Sequence, residues 1–329
     1  MVVLAIESSC DETAAAVTAG GEKALSNIVS SQTQVHRKYG GIVPELASRK
    51  HIEVIIPVIR EALLKAGITL DHVEGIAVTN GPGLVGSLLV GLSVAKAIAY
   101  ARNLPFVGVN HVEGHLSAIF LEIPRLRFPF IGLVVSGGHT CLYRVNHLGS
   151  YEWLGGTRDD AAGEAFDKVA KLLNLGYPGG PVIDEVARDG DPQAIPFPRA
   201  FISKDSFDFS FSGIKTSVLH YVKKHPRDRI EDIAASFQEA VVDVLTSKAV
   251  QAARSFDLPR IVLSGGVACN GRLRIRLKEI AEKEGLEVNI PSPILCTDNA
   301  AMIGVIGHYY LEHGRTSPLT LDAFSNLPI

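Results

Sequence analysis

His111-Val112-Glu113-Gly114-His115 sets two imidazoles four residues apart, and on a helix that spacing projects both rings from one face. Two nitrogens so placed suit a single metal ion that needs a third ligand. They suit equally a helix face that carries histidines and no metal. The motif is not the HExxH of zinc peptidases: Val112 stands second and the glutamate third, away from where a general base would be needed. Cys296-Thr297-Asp298-Asn299 offers a third ligand. Asp298 follows Pro291 and Pro293 and precedes an apolar helical run, a position that also suits a plain helix N-cap.

A second group of residues has the character of an anion site. Ser136-Gly137-Gly138-His139, Gly179-Gly180-Pro181 and Ser264-Gly265-Gly266-Val267 are tight turns in the second half of the chain, where glycine lets backbone N–H groups approach a ligand. Together they point to a nucleotide or phosphate held by peptide groups, and no P-loop sequence is present. Asp167 and Asp184 are candidates for ribose hydroxyls, and Asn270 for a base or ribose. Asp159 and Asp160 are explained by capping at a helix N-terminus. Gly81-Pro82-Gly83-Leu84-Val85-Gly86 fits GxGxxG, but the strand after it ends without the acidic ribose ligand, so these glycines read as close helix-to-sheet packing.

No nucleophile stands out. Ser136 lacks a GxSxG elbow, and the thiolate of Cys10 is disfavoured by Asp11 and Glu12. Two basic regions, residues 272–278 and Lys215, Lys223, Lys224, Arg227 and Arg229, permit contact with a nucleic-acid backbone and equally describe solvated helices.

The elements that must carry these residues alternate. Strand patterns cover residues 2–7, 13–18, 75–79, 106–109, 130–135, 141–145, 260–263 and 286–290. Helical patterns cover 45–66, 84–102, 112–121, 160–173, 181–188, 214–224, 230–255, 272–284 and 299–313. Alternation of this kind defines an α/β protein. Residues 3–17 and 132–145 share a layout of apolar strand, polar Ser/Thr turn and second strand, which predicts a duplicated two-lobed fold with the turns facing a central cleft. On this reading residues 1–108 form an N-terminal lobe, with 302–329 packing back on it, and 109–301 form a C-terminal lobe carrying both sites.

The 329 residues hold 32 Lys and Arg against 35 Asp and Glu, so a bulk polycation is excluded at a net charge of −3. Four cysteines without a CxxC exclude a disulfide framework and a zinc ribbon. The N-terminus reads as a strand rather than a signal peptide, and the apolar run 84–95 is too short to span a bilayer and reads as a buried helix, so a cytoplasmic protein is expected.

Taken together, these motifs resemble one family, the tRNA adenosine threonylcarbamoyltransferases, called TsaD in bacteria and formerly described as O-sialoglycoprotein endopeptidases. The stretches that carry the resemblance begin with Glu7-Ser8-Ser9-Cys10-Asp11-Glu12-Thr13, Tyr39-Gly40-Gly41-Ile42-Val43-Pro44-Glu45-Leu46-Ala47-Ser48-Arg49 and Gly81-Pro82-Gly83-Leu84. They continue with His111-Val112-Glu113-Gly114-His115, Val135-Ser136-Gly137-Gly138-His139-Thr140 and 159–168. Tyr177-Pro178-Gly179-Gly180-Pro181, 209–215 and Cys296-Thr297-Asp298-Asn299 complete the series, in order along nearly the whole chain. The resemblance implies an actin-like fold of the sugar kinase/Hsp70/actin type. It implies one divalent metal, Fe²⁺ or Zn²⁺, on His111, His115 and Asp298. Threonylcarbamoyl-AMP or an adenine nucleotide would lie on Val134, Val135, Ser136, Gly137, Gly138, Asp167, Gly180, Asp184 and Asn270, with Asp184 the most variable of these ligands. Asp11 and Glu12 would be the acidic catalytic pair. The implied reaction is metal-assisted acyl transfer of threonylcarbamoyl to the N6 amine of the adenosine 3′ to the anticodon, in tRNAs reading codons that begin with A. TsaB-like and TsaE-like proteins would be partners. A metallopeptidase built on His111 and His115, or an ATP-hydrolysing protein of the same fold, are the alternatives.

Overall fold

The computed structural model describes residues 1–200 and 206–329. Met1–Arg127, His147–Ser150 and Thr297–Ile329 form one compact unit, and Phe128–Asn146 with Tyr151–Cys296 form a second.

In unit 1, β1 (Val2–Glu7), β2 (Glu12–Ala19) and β3 (Lys23–Ser31) form an antiparallel meander. On the other side of β1, β4 (Gly75–Gly81) and β5 (Phe106–Asn110) run parallel to it, giving the order β3-β2-β1-β4-β5. Side chains alternate across a strand, so β1 presents two different faces. Leu4 and Ile6 join Ile55, Ile59, Leu92 and Ala95 from the helices Pro44–Ala66 and Val85–Arg102 in one apolar cluster. The opposite face is built of small residues, Ala5 in register with Ala16 and Ala77. Only there can the helix Ala300–Glu312 approach so closely that a Cβ on Gly307 would lie 2.2 Å from that of Ala77.

Unit 2 repeats the pattern. Its strands β6 (Phe130–Val135), β7 (Thr140–His147), β8 (Ser150–Gly156), β9 (Arg260–Ser264) and β10 (Glu287–Asn289) lie in the order β10-β9-β6-β7-β8. β6 pairs antiparallel with β7 and parallel with β9, as β1 does with β2 and β4. Leu133, Leu142 and Leu263 meet Phe166 of the helix Ala162–Leu172 and Phe237 and Leu245 of the helix Ile230–Ser255 in its core. The duplicated topology expected from the two hairpins is therefore present.

Three expectations need correction. The boundary falls between Arg127 and Phe128, because Gly108 lies inside β5, in register with Val78, and a cut there would split a sheet. Residues 109–127, and His111 and His115 with them, thus belong to unit 1, as do Thr297–Ile329. β3 and β8, the edge strands at the antiparallel end of each sheet, carry no strand signal in the sequence: they are polar and only partly buried. The helix Val85–Arg102 is not buried all round. Leu88, Leu92 and Ala99 face the sheet while Val85, Leu89 and Tyr100 are exposed.

Candidate metal centre and nucleotide-facing turns

In unit 1 the helix His111–Ser117 begins at the end of β5, and Asn110 caps it, its Oδ1 accepting from Val112 N at 2.8 Å. The two ring centroids of His111 and His115 lie 4.7 Å apart at 84°, and both side chains are buried. Asp298 Oδ1 is 3.6 Å from His111 Nε2 and 3.2 Å from His115 Nε2. One ligand atom from each of the three lies within 4.8 Å of the others. The plain N-cap reading of Asp298 does not hold: Asn299 is the cap of Ala300–Glu312, accepting from Met302 N at 3.0 Å, and the Asp298 carboxylate turns to the imidazoles.

Glu7, at the end of β1, completes the arrangement. It is fully buried, and its Oε2 accepts from Thr79 Oγ1 at 2.6 Å and from His111 Nδ1 at 3.0 Å, while its Oε1 accepts from Ser9 N. A carboxylate on Nδ1 keeps the proton there and leaves Nε2 as the coordinating atom, the usual support of a metal-bound imidazole. Burial alone would push Glu7 up and His111 down. The pair reverses both, Glu7 falling below the ordinary carboxylate range and His111 rising to about 9 under the charges of Asp298 and Glu7. His115 is pulled down by burial, which favours the neutral form that binds a metal, while a bound cation would displace the extra proton from His111 Nε2. Burial, then Asp11 and Asp298, pushes Glu12 well up. Carboxylates so crowded are what a divalent cation would relieve, so the donor set fits an N₂O metal site. Glu7 is not among the candidates read from the sequence; its signal is a lone carboxylate ending an otherwise apolar, buried strand.

Glycines of 81–86 serve packing, since a Cβ on Gly83 would meet Ser9 O at 2.5 Å. Glu113 accepts from Tyr310 Oη, so it braces the helices His111–Ser117 and Ala300–Glu312 rather than serving a reacting group.

Unit 2 gathers the nucleotide candidates at one end of its sheet. Val134 and Val135 are fully buried in β6 with their backbones paired to β7, so the accessible surface begins at Ser136. Ser136 N donates to His139 O at 2.7 Å, closing a turn in which Gly137 and Gly138 border open space. Gly265, at φ +91, packs on Val135: a Cβ there would lie 2.3 Å from Val135 O, so only glycine fits. Gly180 and Gly266 also border open space. Asp167 Oδ1 accepts from Gly179 N at 2.6 Å, and Asp184 Oδ2 from Gly271 N at 3.2 Å. Asn270 Oδ1 caps the helix Gly271–Lys283, and its Nδ2 donates to Gln238 Oε1 at 2.6 Å. Asp11 and Glu12 belong to unit 1.

Two further readings change. Asp159 accepts from Phe211 N and Ser212 N, so it caps the helix Ser212–Lys224 rather than its own, and Asp160 pairs with Lys168 and Lys215. Within 272–278 the guanidinium of Arg272 grips Glu239 at 2.6 and 2.7 Å, Arg274 donates to Ala268 O and Pro291 O, and Arg276 pairs with Asp243. That run is largely spent on holding unit 2 together, whereas Lys223, Lys224 and Arg227 are exposed.

The repeated five-stranded topology defines an actin-like fold. Among solved structures, full-length HypF in a phosphate- and nucleotide-bound form superposes with TM-score 0.67 at 18% identity, over 96% of this chain and 47% of that one. An activator of 2-hydroxyisocaproyl-CoA dehydratase from Clostridium difficile does so with TM-score 0.57 at 13% identity, over 96% of this chain and 97% of that one. The model of a family described as tRNA N6-adenosine threonylcarbamoyltransferase, TsaD, matches residues 23–305. Curated relatives of that name are 58% identical in Geobacter sp. strain M21, over all of this chain and 97% of that one, and 56% identical in Clostridioides difficile strain 630, over all of this chain and 98% of that one. The chain belongs to the tRNA N6-adenosine threonylcarbamoyltransferase family.

Proposed function

We propose that this chain transfers the threonylcarbamoyl group of threonylcarbamoyl-AMP to the N6 amine of the adenosine 3′ to the anticodon, in tRNAs reading codons that begin with A. The observation that carries the reading is the His111, His115 and Asp298 centre, its tautomer held by Glu7, in a chain alike over its whole length to relatives of that name. The donor is a mixed anhydride and already activated, so no enzyme nucleophile is required. A divalent metal, Fe²⁺ or Zn²⁺, held by these three residues would polarise the carbamoyl oxygen as a Lewis acid. The chain's own groups do the rest. Gly137, Gly138 and Gly266 leave open space beside their backbone, where peptide N–H groups would receive the AMP phosphate, while Asp167 and Asp184 take ribose hydroxyls and Asn270 takes adenosine. Asp11 and Glu12 are the carboxylates that would accept the amine proton, once a bound cation relieves the crowding that raises Glu12.

Net charge of −3 gives no general attraction for tRNA, so exposed Lys223, Lys224 and Arg227 and partner proteins of the TsaB and TsaE kinds supply it, in the cytoplasm. The peptidase alternative loses the glutamate of its own motif, since Glu113 is tied to Tyr310. The test is reconstitution with purified tRNA, threonylcarbamoyl-AMP and the two partners, followed by nucleoside analysis. Modified adenosine is expected, with at least about a 100-fold loss in Asp298→Ala. Absence of product under all conditions, with peptide cleavage that His111→Ala abolishes, would overturn the reading; sugar-dependent ATP turnover would favour the kinase-like alternative.

A further inference from the structure

Unit 2 holds a pair of soft nucleophiles that the reaction above does not use. Cys269 closes the turn Gly266–Cys269 and Cys296 closes the helical turn Pro293–Cys296, and the two turns pack against each other. Both are free thiols, Cys296 buried and Cys269 partly exposed. Cys269 Sγ is 3.7 Å from Pro293 O, and Cys296 Sγ is 3.2 Å from Pro291 O. Arg274 ties the two turns together: its Nε donates to Ala268 O, and its Nη2 donates to Pro291 O at 2.8 Å while lying 3.4 Å from Cys296 Sγ. A cation that spans both turns holds the two sulfur-bearing segments together, with Cys269 partly exposed and Cys296 buried. A reachable thiol beside a resolving thiol is the arrangement that hydroperoxides convert to a disulfide.

The other two thiols lack these features. Cys141 is buried in β7 and pushed up to about 12 by burial, and Cys10 is pushed well up by burial and by Asp11. Cys269 is drawn down to about 7, first by the hydrogen bond from Cys296 and then, against burial, by Arg274. Of the four thiols it is the one whose thiolate forms most readily.

We propose that Cys269 and Cys296 form a reversible redox modification site, oxidised by a hydroperoxide to an intramolecular disulfide. The Cys269 thiolate attacks the hydroperoxide, the O–O bond breaks, Cys269 becomes a sulfenic acid, and the leaving alkoxide or hydroxide takes up a proton. The Cys296 sulfur then attacks the Cys269 sulfur, the S–S bond forms, and hydroxide departs with the thiol proton as water. The two cysteines lose two electrons and two protons, and the peroxide is reduced to alcohol or water. A dithiol reductant reverses the change. Because Cys269 immediately precedes Asn270, the bond also pulls on the residue assigned to adenosine, a coupling that rests on the nucleotide reading above.

The test uses the full chain, treated with hydrogen peroxide, alkylated and mapped by mass spectrometry, with AMP affinity measured in parallel by calorimetry. Expected is a peptide pair joining Cys269 to Cys296, lighter by two hydrogens, reversed by dithiothreitol and absent in Cys269→Ser, with Cys10 and Cys141 alkylated throughout. Sulfinic acid at Cys269 without the cross-link, or a cross-link through Cys10 or Cys141, would overturn the site. Oxidation is expected to weaken AMP binding about tenfold. A cross-link with unchanged AMP affinity overturns the coupling to Asn270; a cross-link in protein that binds no AMP in either state counts against the nucleotide reading and supports the modification site.

Discussion

Glu7 shows how much a single buried carboxylate can decide. Thr79 Oγ1, Ser9 N and His111 Nδ1 all donate to it, so its negative charge is matched and the imidazole is fixed in ring orientation and tautomer. Glu7→Gln keeps the shape and removes the charge. Zinc affinity measured by chelator competition is expected to fall about 10- to 100-fold with the circular dichroism spectrum unchanged. Equal affinity would show that Glu7 does not orient His111. The Arg272 and Glu239 pair makes a different residue-scale case. Its bidentate hydrogen bonds hold Glu239 below the ordinary carboxylate range. A depressed carboxyl adds stability above its unfolded pKa and loses it as pH falls through the lower folded value. At neutral pH Arg272→Gln is expected to cost about 1–3 kcal/mol. The gap should narrow as pH drops below the ordinary glutamate range, which denaturant titrations at several pH values will read. A gap that widens in acid would contradict the assignment.

At the scale of elements, the third metal ligand depends on how closely one helix can approach a sheet. Asp298 leads into Ala300–Glu312, and that helix lies on the small-residue face of the first sheet through Gly304 against Thr18 and Gly307 against Ala77. The Ala77 methyl has no rotamer into which to retreat. Gly307→Ala is therefore expected to destabilise the fold by about 1–3 kcal/mol, measured as a lower Tm, and to weaken zinc binding as Asp298 is displaced. Unaltered stability would mean the contact is looser than described. Ser117 Oγ donates to Met302 O and Glu113 accepts from Tyr310 Oη, so the helices bearing the histidines and following the aspartate are braced against each other. Sequence patterns located most of these helices and the inner strands to within a residue or two, because the helices are long periodic segments and the inner strands are short unbroken apolar runs closed by turn residues. They missed β3 and β8, whose outer edges bury too little to leave a period.

For the molecule as a whole, the chain leaves unit 1 after Arg127, touches it again at His147–Ser150, and returns to it at Thr297. The returning segment carries buried Met302, Ile303 and Ile306, and its end is tied on by Phe324 N to Asn80 O and by Asn110 Nδ2 to Leu327 O. Residues 1–127 alone should then lack one side of their core and fail to unfold cooperatively, whereas residues 128–296 carry a complete sheet with its own core and should do so. Comparing thermal melts of the two fragments checks this, and a cooperative melt of 1–127 would contradict it. The sequence by itself determined the α/β class, the duplicated hairpins, the histidine spacing and the glycine turns, because these follow from local period and from residue types with few uses. Only the tertiary structure decided that Asn299 rather than Asp298 caps its helix, that Glu7 backs His111, that Asp159 caps a distant helix, and that the boundary lies beyond His115. Glu7, Asp159 and Asp298 meet partners about 50 to more than 180 residues away, and a side chain's role is set by what lies opposite it, which no local pattern records.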